Sequence, residues 1–176
     1  QNNIIITGIY YDVVDFDPGT GVAELANLPN ENIFILKLDK DGNFIWVKNM
    51  QSTRYIVPSA LAVDSDNNIF VAGRFEGVAD LDPGNNLYSI INNSKYEQSF
   101  YTKLDKDGKF LWGKHLTFVT INQIKNDQLG QNFIFGYHGK NFSFSTDTGD
   151  YTVNSDTFFH SYIIKFNKSG EFKWIK

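Results

Sequence analysis

The stretch KLDKDGNFIW, from Lys37 to Trp46, returns as KLDKDGKFLW from Lys103 to Trp112 and, altered, as KFNKSGEFKW from Lys165 to Trp174. Each copy reads as a β-hairpin. The arm before the turn alternates and is rich in β-formers (Phe34, Leu36, Leu38; Phe100, Leu104; Tyr162, Ile164, Phe166), and period two is the signature of a strand. The turn is Asp-Lys-Asp-Gly twice and Asn-Lys-Ser-Gly once. Glycine takes a positive φ without steric cost and Asp or Asn bonds its own backbone, so these are turn residues for a physical reason. The returning arms carry Phe44 and Trp46, Phe110 and Trp112, Phe172 and Trp174.

Working outward, the rest of the chain repeats with the hairpin. Gly8, Gly73 and Gly136 stand 65 and 63 residues apart, the three tryptophans 66 and 62, and Asp17-Pro18-Gly19 matches Asp82-Pro83-Gly84 at 65. Such spacing makes three abutting units, 1–58, 59–121 and 122–176, of one region spanning 1–176. A full unit reads as four strands, Ala60–Asp64, Ile69–Phe75, Ser99–Asp105 and Lys109–Lys114, with a long connection after the second. Four antiparallel strands per unit is the blade of a β-propeller. The expected fold is therefore all-β, with three propeller-type blades of about 65 residues and no helix. The first unit lacks its first strand, and three blades fall short of the roughly 4–8 that close a ring, so the expectation is a piece of a larger propeller.

The totals fit that reading. Among 176 residues 41% are hydrophobic and 16% aromatic, a bias toward strands, with 16 basic and 20 acidic residues for a formal net charge of -4. No basic cluster offers a nucleic-acid surface, and no apolar run approaches the ~18 residues of a spanning helix. There is no cysteine, which excludes disulfides, cysteine-ligated zinc and thiol catalysis but leaves the compartment open. No signal peptide is legible, and Gln1 is compatible with a mature or a trimmed terminus.

The assembled pattern, DNNIFVAGRF, then an acidic Asp-Pro-Gly segment, then FYTKLDKDGKFLW, resembles bacterial secreted β-propeller repeats of the SBBP type, in which DFDPG recurs. The resemblance covers all three units and is weakest in the third, where Ser145-Thr146-Asp147 replaces Asp-Pro-Gly. It implies a propeller in an exported or cell-surface bacterial protein, and no catalytic residues.

Alternate connections of an antiparallel blade emerge on opposite faces. The tight turns (Asp64–Asn68, Asp105–Gly108) share one face. The long connections (through Asp17-Pro18-Gly19, Asp82–Glu97 and Phe144–Thr157) share the other with the inter-blade links Met50–Pro58 and Leu116–Ile121. Long loops on a rigid scaffold are where binding concentrates. The links also differ, with 15 residues from Trp46 to Leu61 against 12 from Trp112 to Ile124, and the longer one carries Arg54 and Tyr55, types enriched at interface hot spots. Candidate binding residues on this face are Arg54, Tyr55, Tyr88, Tyr96 and Tyr151.

Other chemistries are legible only as alternatives. The Asp-rich turns start like calcium loops but none reaches a distal Glu, and the Asp15/Asp17 and Asp80/Asp82 pairs could ligate a metal with a carbonyl but recur with the repeat, so each reads first as a turn. The acids outside the repeat pattern (Asp12, Glu24, Glu31, Glu76, Glu97, Asp150) would have to supply any glycosidase pair, and none sits in a catalytic motif. His115, His138 and His160 show no metal spacing and fall at unmatched positions. The sequence thus reads as a non-catalytic structural or interaction module without cofactor or metal. Its partners would be another protein, further blades of the parent chain or carbohydrate, with no nucleic acid. A carbohydrate-active propeller enzyme and a calcium-stabilised adhesin are the alternatives.

Overall fold

The computed structural model describes residues 2–26, 32–146, 149–154 and 160–176. Glu31, Asp147 and positions 155–157 of the third long connection lie outside these residues. The described strands, in order, are β1 (Ile4–Tyr10), β2 (Val14–Asp15), β3 (Glu24–Leu25), β4 (Asn32–Leu38), β5 (Phe44–Ser52), β6 (Tyr55–Val63) and β7 (Ile69–Asp80), followed by β8 (Ser89–Asn92), β9 (Gln98–Leu104), β10 (Phe110–Asn126), β11 (Asn132–Thr146), β12 (Gly149–Asn154), β13 (His160–Phe166) and β14 (Phe172–Ile175). All pairings are antiparallel. The fold is all-β and propeller-like. Blade 1 is β1-β4-β5, blade 2 is β6-β7-β9-β10, and blade 3 is the far part of β10 with β11-β13-β14.

The tight turns follow one rule. Asp39, Asp64, Asp105, Asp127 and Asn167 each accept, through Oδ1, the backbone N–H groups two and four residues on. The fourth residue of each turn takes a positive φ, at Gly42, Asn67, Gly108, Gly130 and Gly170. A hairpin of this kind needs a left-handed residue before its second arm, which explains the glycine. Asp127-Gln-Leu-Gly130 belongs to the set although its two middle residues match no other copy.

The inter-blade links are not the loops that the repeat pattern led us to expect. β10 runs as one strand from the outer edge of blade 2, paired with β9, to the inner edge of blade 3, paired with β11. β5 and β6 make the same passage with only Thr53 and Arg54 between them. The links stay extended because their backbone groups find partners on lengthened second strands: Gln51 and Ser52 register with Asp80 and Ala79, and Leu116 and Thr117 with Phe144 and Ser143. The long connections are likewise hairpins, formed by β2–β3, by the tail of β7 with β8, and by the tail of β11 with β12. Their Asp-Pro-Gly tips are self-bonded. Asp15 and Asp80 accept from the N–H groups two and eight residues on, and Asp17 and Asp82 accept from Gly19 and Gly84.

Register shifts fall between Pro58 and Ala60 and between Ile121 and Gln123, skipping Ser59 and Asn122. These bulges turn the Val57 and Thr120 carbonyls onto Gly73 and Gly136, where a Cβ would sit only 2.0 and 1.8 Å from the oxygens. Gly73 and Gly136 are therefore approach sites for backbone, whereas Gly8 leaves room for the Phe34 ring.

The core lies between blades. Successive residues of β7 serve opposite clusters: Ile69 and Val71 pack toward Ile33 and Ile35 of blade 1, and Phe70 and Ala72 toward Ile134 and Ile164 of blade 3. Burial on both sheet faces explains why Ile69-Phe70-Val71-Ala72 shows no polar alternation. Each joint also has a lysine bolt. Lys37 Nζ donates to the Lys106 carbonyl at 2.5 Å and Lys103 Nζ to the Lys168 carbonyl at 3.3 Å, each reaching the outer turn of the following blade. Beside the bolt, Trp46 lies against Gly108 and Trp112 against Gly170. Both indole Nε1 atoms are buried without an acceptor, so these rings act through packing.

Candidate functional site

On the long-hairpin face a cleft of about 470 Å³ opens between blades 2 and 3. β7 contributes Arg74 and Glu76, the β8–β9 connection Lys95, Tyr96 and Glu97, β10 Phe118 and β11 Tyr137. Three aromatic residues are presented to solvent. Tyr96 is 63% exposed, Phe118 46%, and the two ring centroids stand 6.4 Å apart, with Tyr137 exposed nearby. Phe118 occupies the register shift between Thr117 and Val119, and its φ is +56°. A left-handed backbone at a bulky residue is strained by about 1–3 kcal/mol. The bulge throws Phe118 outward while its neighbour Val119 is buried.

Charged pairs frame the rings. Arg74 Nη1 lies 2.5 Å from Glu97 Oε2, and Arg54 Nη1 lies 3.9 Å from Glu76 Oε2. The Arg54 side chain passes over Gly77, where a Cβ would meet its Cγ at 2.9 Å. Gly77 has φ +75°, and the Thr53 hydroxyl accepts from the Val78 N–H at 3.0 Å, so the link is fastened to the bend of β7. On the blade 1 side of β7, away from the cleft, His115 packs edge-on against Phe75 and its Nε2 meets Gln98 Oε1. Burial holds the His115 imidazole below its usual pKa, favouring the neutral ring.

Of the residues singled out from sequence, the structure brings Tyr96 into the cleft and Arg54 to its rim. Tyr55 registers opposite Glu76 on β6 and is half-buried. Tyr88 and Tyr151 lie elsewhere and repeat one packing role. Tyr88 stacks on Phe110 at 4.6 Å and donates to the Gly113 carbonyl at 2.9 Å, while Tyr151 stacks on Phe172 at 4.7 Å. Phe118 and Tyr137 were missed. The signal that could have found Phe118 is the link itself, since it stands where the longer copy carries Arg54 and Tyr55.

The Asp-rich tips and turns spend their carboxylates on backbone. N–H groups of Ala23 and Asp17 hold the Asp15 carboxyl below the usual range, and the Asn43 side chain and backbone do the same for Asp39. Among the described residues no group of three or more His, Asp or Glu is placed to hold a metal ion. The histidines are less unmatched than their numbers imply. His138 and His160 face each other across β11 and β13 with rings 5.6 Å apart, because both end the pairing of the second and third strands. Glu76 and Glu97 do meet in one cleft, but each is engaged by an arginine, an arrangement suited to recognition through fixed charges.

No family model matches the chain. It is similar to an uncharacterised WD repeat-containing protein of Acanthamoeba polyphaga mimivirus, with 27% identity over 203 residues. That similarity takes in 99% of this chain and 15% of the viral protein, so the chain spans a small part of the relative's length. Among the described residues no helix is long and apolar enough to cross a membrane. In architecture and in similarity, then, this is a propeller-like repeat module.

Proposed function

We propose that the chain is a non-catalytic interaction module that takes a segment of a protein partner into the cleft between blades 2 and 3. One observation carries the reading: Phe118 is held in a strained backbone conformation and still exposes its ring. Strain that serves packing ends in burial, whereas here it ends in display. Tyr96 and Tyr137 extend the apolar platform, and the Arg54–Glu76 and Arg74–Glu97 pairs give it a charged rim. Aromatic anchors with arginines at their edge are the composition of binding hot spots. WD repeats in the name of the viral relative agree with a repeat-borne module. An extracellular or bacterial cell-surface setting for the parent protein is supported by the resemblance of its repeats, with their Asp-Pro-Gly motif at Asp17–Gly19 and Asp82–Gly84, to secreted bacterial ones, and fractionation of cells making that protein would test it.

Peptides selected from a displayed random library on the 176-residue chain should bind the native protein and lose on the order of tenfold or more in affinity when Tyr96 or Phe118 becomes alanine. Phe118→Gly should abolish binding without lowering the melting temperature, because glycine accepts the positive φ. Selected peptides that bind all three variants equally, or binding of glycans in place of peptides on the same surface, would sink the reading.

A further inference from the structure

The cleft between blades 2 and 3 holds a charge that the fold does not use. Five charged residues stand there, Arg74, Glu76, Lys95 and Glu97 in its lining and Arg54 at its rim. Both acids are engaged, Glu97 by Arg74 and Glu76 by Arg54. Lys95 is exposed, and among the described residues no carboxylate pairs with it. Cations thus outnumber acids at this one place, on a chain whose formal net charge is -4.

All three cations depart from the repeat. Counted from Gly8, Gly73 and Gly136, the position of Arg74 is Ile9 in the first unit and Tyr137 in the third. Counted back from Lys37, Lys103 and Lys165, the position of Lys95 is Pro29 and Thr157. Arg54 stands in its link where the next link has Phe118. Side chains that join blades recur, as Lys37 and Lys103 do. A charge found in one unit alone is not part of that common construction.

Its placement separates Lys95 from an ordinary solvated lysine. It directly precedes Tyr96, and the connection there is tied down, since the Asn92 amide donates to the Tyr96 carbonyl at 2.9 Å and the Ser94 hydroxyl to the same oxygen at 2.8 Å. Lys95 is therefore carried beside the exposed Tyr96 and Phe118 rings, in the lining of the same cleft. A segment lying on those rings takes the Lys95 ammonium partly out of water. A desolvated ammonium without a counter-charge is strongly unfavourable, and a basic segment would add repulsion. A carboxylate reverses both effects, because less water then screens its attraction to the ammonium.

We infer that the segment taken into the cleft is acidic, setting an aspartate or glutamate against Lys95 and a neighbouring apolar side chain on Tyr96 and Phe118, an assignment that rests on reading the cleft as a peptide site. Charge then selects the partner and the rings hold it.

Fluorescence anisotropy with peptides selected on the native chain from a displayed random library tests it. The selected sequences should share an acidic residue next to an aromatic or aliphatic one. Remaking a peptide with the amide in place of that carboxylate should weaken its binding to the native chain by about tenfold. On Lys95→Gln the same change should matter much less, because its partner is already gone. On Lys95→Glu the amide peptide should bind more tightly than the acidic one. Added salt should weaken the acidic peptide more than the amide one. The amide peptide on the native chain tests the pairing without any protein variant. Acidic and amide peptides that bind the native chain equally, or a selected set without carboxylates, overturn the inference. If Tyr96→Ala still weakens those peptides, the cleft remains a peptide site. Peptides indifferent to both Tyr96→Ala and Phe118→Ala overturn the cleft reading and this assignment with it.

Discussion

The joint between blades 1 and 2 and the joint between blades 2 and 3 are made from the same plan with different materials. In the second, Ser59 and Ser99 donate to the Ile121 and Val119 carbonyls and the Tyr101 hydroxyl donates to Asn132 Oδ1 at 3.2 Å, while the bolt Lys103 also holds a buried ion pair with Asp64 of its own blade at 3.3 Å. In the first, the positions of Ser99 and Tyr101 are Ile33 and Ile35, both wholly buried, and Lys37 is the polar element that crosses. Two parts are constant, a lysine that reaches the next blade's turn and a tryptophan that covers that turn's glycine. The space between them accepts hydroxyls that find carbonyls or apolar side chains that need none, because a satisfied polar group and a well-packed apolar one differ little in net stability.

The largest break in this comparison should come from the lysines. Lys103→Ala removes one half of an ion pair whose side chains are 3% and 0% exposed, leaving Asp64 buried, and should cost about 3 kcal/mol or more. The Asp64 hydrogen bonds to Asp66, Asn68 and the Asn68 amide soften the loss. Lys37→Ala gives up a hydrogen bond to a carbonyl and should cost about 1–2 kcal/mol. Urea unfolding of both variants gives the difference, and equal losses would mean that the ion pair within blade 2 contributes nothing to stability.

Turn glycines sharpen the comparison at a smaller scale. Gly42→Ala should cost about 1–2 kcal/mol, the strain of alanine at φ +87°, since the site is otherwise open. Gly170→Ala adds a clash with the Trp112 ring and should cost more. Thermal unfolding that ranks the two alike would show that the tryptophan is not held against the turn.

The smallest effect is one of pH. Because burial depresses the folded-state pKa of His115, the folded chain binds fewer protons than the unfolded one just below the usual histidine value of 6.5. The contribution of this group is therefore fully present above that value and declines as pH falls toward the folded pKa. His115→Gln should flatten the loss of melting temperature between neutral pH and about pH 5. An unchanged slope would place the acid sensitivity elsewhere. Carboxylates such as Asp66, held low by the Lys168 ammonium beside it, act in a separate and more acid window below 3.8.

Much of the fold was legible because repeats amplify local signals. A single Asp-Lys-Asp-Gly could be a metal loop, but two copies and an Asn-Lys-Ser-Gly variant at blade spacing between alternating strands are hairpins. Asp15 and Asp17 read as turn-makers for the same reason, and they bond their own loop. The candidate site was only half legible. Arg54 was in reach because it departs from the repeat and Tyr96 because it falls on the long-connection face, whereas Phe118 looked like another apolar residue of a link. Tyr88 and Tyr151 looked free because sequence does not show that each has a phenylalanine of the returning strand, Phe110 or Phe172, to lie on.

By itself the sequence determined the class of fold, the three units and their tight turns, because those depend on residues near one another in the chain: a carboxylate and the N–H groups two and four positions on, a glycine at the left-handed corner, apolar residues at period two. Only the tertiary structure decided what each repeat is for. That Lys37 and Lys103 bolt one blade to the next turn, that the links are continuous strand and that Phe118 is displayed all depend on groups far apart in the chain, and no local spacing encodes such a meeting. KLDKDGNFIW began as a turn and is, in the folded chain, one half of a joint.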